Sequence, residues 1–104
     1  MFNLLKQLFS STGGNSLKDI LADAYLVDVR TREEFKEGSV KGAVNIPLDQ
    51  IQQQAAKFKD KKNIVVFCRS GMRSSQAKSI LTRLGFANVT NGGTWYNVQK
   101  QLSN

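Results

Sequence analysis

The segment NIVVFC, residues 63–68, constrains the fold more than any other stretch of this chain. It is short, β-branched and apolar at successive positions, so neither face of the strand it predicts can look to water. Such a strand belongs at the centre of a parallel sheet with helices above and below. The next residues agree with this. Beyond the loop RSGMRS, residues Ala77, Ile80, Leu81 and Leu84 recur at helical spacing, and Gly85 stops the helix.

The remaining elements alternate in the same way. Ser16 with Asp19 reads as a capping box opening a short helix that carries Leu17, Ile20 and Leu21. AYLVDV (24–29) is a compact strand, and Thr31 with Glu34 caps a second short helix directly after it. Gly38 and Gly42 punctuate a loop, and a brief strand runs from Ala43 to Asn45. Pro47 then opens a helix with Leu48, Ile51, Ala55 and Phe58 on one stripe. ANVTN predicts a last short strand, GG a turn, and TWYNVQKQL a closing helix. Alternating β and α units predict an α/β fold, a mostly parallel sheet with helices on both faces.

At 104 residues the chain supports one domain, read as residues 16–104 with residues 1–15 as a lead-in segment. Phe2, Leu4, Leu5, Leu8 and Phe9 predict a short amphipathic helix there, and SSTGGN a flexible joint. No stretch approaches the roughly 20 apolar residues of a membrane span. The start lacks the basic opening of a cleaved signal. The single cysteine excludes an internal disulfide and suits a reducing compartment, so a cytoplasmic location is expected. With no histidine, a Ser-His-Asp or Cys-His nucleophile system and a histidine-ligated metal are excluded. One cysteine excludes a cysteine-rich zinc site, and neither metal nor cofactor is expected. The net charge of +7 raises three possible partners: nucleic acid, an anionic membrane or small anionic substrates. The basic run of Lys57, Lys59, Lys61 and Lys62 carries no nucleic-acid motif and reads as a solvated surface.

Cys68 closes the central strand, where open α/β sheets place their working groups. If residues 69–73 wrap in a tight arc, their backbone N–H groups point at the sulfur, and the next helix adds its positive end. Gly71 permits that turn. A free cysteine with a pKa of about 8.5 is only a few per cent thiolate at neutrality. Lowering that by about two units needs about 2.7 kcal/mol, within reach of such a cradle and without any general base. The plain alternative is an inert buried cysteine at a strand end.

DVRTREEF, GSVKGAVNIPL, CRSGMRS and NGGTW, in this order and spacing, resemble a single-domain rhodanese, a sulfurtransferase. The resemblance spans about residues 16–98. It implies a three-layer sandwich around a five-stranded parallel core. It also implies that Cys68 takes sulfane sulfur from thiosulfate or a persulfide donor and passes it to cyanide or a thiol. Thioredoxin or another sulfur-accepting protein is the partner it suggests. Arg69, Ser70, Gly71, Met72 and Arg73 would form the substrate cradle, and Ser74 would begin the helix behind it. Two departures stand out: Gly38-Ser39-Val40-Lys41-Gly42 replaces a segment that often carries histidine and proline, and Met72 occupies a variable cradle position.

Asp28 and Arg30 read as a structural pair bracing the active loop, with a direct substrate contact by Arg30 as the alternative. Glu33 and Glu34 read as a water-facing helix start, and Trp95 as packing or pocket rim. Two other functions compete. A phosphatase or arsenate reductase on this fold resembles the chain, but its loop is one residue longer than the four residues between Cys68 and Arg73. A non-catalytic rhodanese-like docking module is the other, against which the intact Cys68 speaks.

Overall fold

The computed structural model describes residues 16–103; the amphipathic reading of residues 1–15 lies outside them. The elements run α1 (Leu17–Leu21), β1 (Tyr25–Asp28), α2 (Arg32–Glu37), β2 (Val44–Asn45), two 3₁₀ turns (Leu48–Gln50 and Ala55–Phe58), β3 (Ile64–Cys68), α3 (Met72–Arg83), β4 (Val89–Thr94) and α4 (Trp95–Ser103). The sheet order is β2-β1-β3-β4, with every pairing parallel.

β3 lies between β1 and β4, and all five of its residues are buried. Its side chains alternate between two cores. Ile64, Val66 and Cys68 join Val27, Val29, Ile51, Phe58, Ala77 and Leu81 on the α3 face. Val65 and Phe67 join Leu21, Leu26, Val40 and Val98 on the face covered by α1 and α4. The apolar run in the sequence is therefore two half-cores interleaved along one strand.

Both predicted capping boxes form, Ser16 with Asp19 and Thr31 with Glu34. Gly85, at φ +104°, ends α3 in a Schellman motif: its N–H donates to the Thr82 carbonyl and that of Phe86 to the Leu81 carbonyl.

Three expectations need correction. The five-stranded sheet implied by the resemblance has four strands among the described residues. The segments Tyr25–Asp28, Val44–Asn45, Ile64–Cys68 and Val89–Thr94 use all the strand-like sequence there, and the capped helix α1 leads straight into β1. Second, the helix expected after Pro47 is two 3₁₀ turns. Ile51 donates to Leu48 O and Lys57 to Gln54 O, three residues back, which tightens the coil at both ends, with residues 51–54 as the turn between them. Ile51 and Phe58 still reach the core. Third, Gly92 and Gly93 are not a turn but part of β4. Val66 pairs with Asn91 and Phe67 with Gly93, so Gly92 is the extra residue of a bulge.

Close packing explains that glycine. A Cβ on Gly92 would lie 2.7 Å from Val98 Cγ2 and 3.0 Å from Val65 Cγ1. Gly92→Ala should therefore lower unfolding stability by about 1–3 kcal/mol, the range for overpacking a tight core. The measurement is a lower urea midpoint at unchanged slope.

Candidate active site

The strand–loop–helix unit β3–α3 positions the sulfur. Cys68 is fully buried, and Gly71 turns the chain at φ +96° into α3. Only glycine takes that conformation without strain. Gly71 N–H donates to Cys68 Sγ at 3.0 Å, and Ser74 N–H at 3.4 Å. The Ser74 hydroxyl lies 3.4 Å from the same sulfur.

Burial pushes the Cys68 thiol up. The Ser74 hydroxyl beside the sulfur and the backbone N–H groups of Ser74, Gly71 and Ser70 push it down and outweigh burial, so the thiol pKa lies below its ordinary value. The site therefore favours thiolate through fixed dipoles, with no side-chain base bonded to the sulfur among the described residues.

The predicted loop residues divide into two groups. Ser70, Gly71 and Ser74 serve the sulfur directly. Met72 does not: its N–H turns to Ser70 Oγ at 3.4 Å and its side chain is exposed. Arg69 is exposed and lines a cleft of about 320 Å³ with Arg30, Glu34, Glu37, Gly38, Trp95 and Tyr96. This cleft lies beside the ends of β3 and β4, where Cys68 pairs with Thr94 and the chain continues as Arg69 and Trp95. Lys41 is exposed and lies outside it.

The Arg73 guanidinium is held by Glu34 in a bidentate pair, Nη1 to Oε1 at 2.7 Å and Nη2 to Oε2 at 3.1 Å. It acts on the sulfur through its charge rather than by a hydrogen bond. This corrects the reading of Glu34 as a water-facing helix start. Glu34 caps α2 through Thr31 and at the same time clamps the first turn of α3. Sequence reasoning also missed Asn91, whose side chain reaches Ser74, Gly71 and Gly93. Its signal was a carboxamide inside a strand, directly before two glycines.

Asp28 and Arg30 form a buried pair, with Arg30 Nη2 at 2.7 Å and Nε at 2.9 Å from the carboxylate oxygens. Ser39 Oγ donates to Asp28 at 2.7 Å, and Arg30 donates to Gly38 O at 2.6 Å. The pair thus ties the end of β1 to the Gly38–Ser39 loop rather than to residues 69–73. Arg30 also lies under the Trp95 ring, 5.1 Å from its centroid, so the same guanidinium forms part of the cleft wall.

Known proteins resemble this chain in sequence and fold. A family model described as a rhodanese-like domain matches residues 14–94. A mitochondrial protein of Schizosaccharomyces pombe, named a putative thiosulfate sulfurtransferase, is 39% identical over 85 residues, covering 67% of this chain and 59% of that protein. The thiosulfate sulfurtransferase PspE of Escherichia coli is 37% identical over 76 residues, covering 71% of this chain and 73% of that one. A solved structure titled as a rhodanese with anions from E. coli superposes with a TM-score of 0.65 at 36% identity, covering 71% of this chain and 89% of its own.

The clamp has a pH signature. The Arg73 guanidinium, working against burial and helped by the Thr31 N–H and hydroxyl, holds the Glu34 carboxyl at about 2, below its ordinary 4.5. A depressed native pKa contributes stability above the unfolded value that is lost as pH falls through the native one. Glu34→Gln should therefore be less stable than the parent at neutral pH, and the gap should close between pH 4.5 and about 2. Urea unfolding of both proteins across that window is the measurement.

Proposed function

Since the chain belongs to the rhodanese-like domain family, matched over residues 14–94, we propose that it is a sulfurtransferase carrying sulfane sulfur on Cys68. The observation that supports this most is a buried Sγ receiving the Gly71 and Ser74 N–H groups at 3.0 and 3.4 Å in a chain without histidine. A thiolate made by fixed dipoles can attack and leave without proton transfer.

The proposed cycle has two displacements. The Cys68 thiolate attacks the outer sulfur of thiosulfate; a new S–S bond forms, the old one breaks, and sulfite leaves with its electron pair. A persulfide donor would leave as its thiolate. The acceptor, cyanide or a thiol, then attacks the outer sulfur of the Cys68 persulfide, and the Cys68 thiolate departs. The exposed Arg69 in the cleft wall and the net charge of +7 favour an anionic donor. A thiol of thioredoxin or of another sulfur-accepting protein is the proposed cellular acceptor. The cytoplasm, where the lone thiol stays reduced, is the proposed location.

The alternative phosphatase chemistry is less well served. A phosphate needs several free N–H groups and an arginine facing it. Here the Met72 N–H is engaged by Ser70 Oγ, and the Arg73 guanidinium by Glu34.

Incubation with thiosulfate should add one sulfur atom to the protein, read by mass spectrometry. That sulfur should be removable by a thiol and absent in Cys68→Ser, and cyanide should yield thiocyanate. An unmodified protein, or hydrolysis of a phosphotyrosine mimic without thiocyanate, would refute the reading.

A further inference from the structure

We propose that Asn91 is a positioning residue for Cys68: its amide decides whether the Ser74 hydroxyl accepts from the sulfur or donates to it. Ser74 Oγ carries one proton and has three acceptors around it. Asn91 Oδ1 is at 2.7 Å, Gly71 O at 3.1 Å and Cys68 Sγ at 3.4 Å. The amide cannot turn over. Gly93 N–H donates to Oδ1 at 2.8 Å, and Nδ2 donates to Gly71 O at 3.2 Å. A flipped amide would set donor against donor and acceptor against acceptor. The β4 bulge supplies that Gly93 N–H, which gives the irregular strand a role at the site.

With the proton directed to Asn91, Ser74 Oγ turns a lone pair to the sulfur and suits a protonated Cys68 donating to it. When Cys68 ionises, the hydroxyl reaches the thiolate only by leaving its shorter bond to Asn91. The amide therefore withholds part of the hydroxyl's support from the thiolate. That keeps the sulfur more basic, and a more basic thiolate is the stronger nucleophile toward sulfur. The loop itself does not need Asn91, because Gly71 O already accepts the Ser75 N–H of α3 at 3.1 Å.

The other charged groups around the sulfur stay constant when Asn91 or Ser74 is changed. They are Arg73 on α3 and Glu34 on α2, Asp28 and Arg30 at the end of β1, Arg69 in the loop, and Asp49, which lines a groove with Arg73. The inference presumes that Cys68 is the reacting group. Its readout is acid–base and needs no sulfur transfer, so the two proposals fail separately.

The test is the thiol titration of the whole chain, followed by the ultraviolet absorbance of the thiolate. Asn91→Ala should lower the midpoint by about half a unit, about a threefold gain in the thiolate-to-thiol ratio. The same change made in Ser74→Ala should leave the midpoint where it was. An unchanged or raised midpoint in Asn91→Ala overturns the proposal, as does an equal fall without the Ser74 hydroxyl. The near-isosteric Asn91→Asp gives an independent arm. Its carboxylate should raise the midpoint, and by more with Ser74 present than in the Ser74→Ala background. An equal rise in both backgrounds, or none, overturns the proposal.

Discussion

The structure turns on a sulfur that is out of water and yet biased toward its charged form. These two conditions oppose each other. Burial alone favours the neutral thiol, and a negative charge tolerates a buried position only where donors already point at it. The donors here are peptide groups of the same loop, held in place by a left-handed Gly71 and by the first turn of a twelve-residue helix. They cost nothing to reorganise when the sulfur gains or loses its charge. A side-chain cation could supply similar attraction, but it would bring rotamer freedom and its own desolvation. The exposed Arg69 and the clamped Arg73 fit that division: charge stays near the sulfur, and the contacts are made by backbone.

Three side-chain networks surround this loop, and they differ in kind. Glu34–Arg73 is partly exposed and joins two helix starts 39 residues apart, so its contribution is modest and sensitive to acid. Asp28–Arg30 is buried, and each partner has further hydrogen bonds from Ser39 or to Gly38. Removing one member would strand a charge in the interior, which costs far more than the pair contributes when intact. Asn91 is neutral and binds three neighbours at once. Placed between the β4 bulge and α3, it links the irregularity of the strand to the chemistry of the loop.

Much of this is legible in the residues because it is local. The two capping boxes, the Schellman glycine and the doubly buried β3 depend on neighbours within a few positions. The place of Cys68 at the strand end follows from the same pattern. The misreadings all concern what distant segments do to one another. The stripe of Leu48, Ile51, Ala55 and Phe58 looks helical, yet burying Ile51 and Phe58 against the α3 face is compatible with tight turns as well as with an α-helix. Gly92 and Gly93 look like a turn, because the closeness of Val98 and Val65 cannot be read from their own surroundings. The capping role of Glu34 shows in its own helix start. Its second partner, Arg73, becomes visible only once α2 and α3 meet.

The depth of the sulfur bears on selectivity under the proposed chemistry. Cys68 has no exposed surface, so a broad reagent has little access to Sγ itself. Loading it requires a donor whose transferable sulfur is slender and terminal, which thiosulfate and persulfides provide. Once loaded, the outer sulfur stands one S–S bond, about 2 Å, beyond Sγ. The cleft beside it, with two guanidiniums, Glu37 and the Trp95–Tyr96 pair, then faces donor and acceptor alike. Changes to the cleft lining should alter which donor and acceptor are served, while changes to the cradle should alter whether any sulfur is carried at all. That separation follows from placing the charge-stabilising groups in the backbone and the recognition groups in side chains.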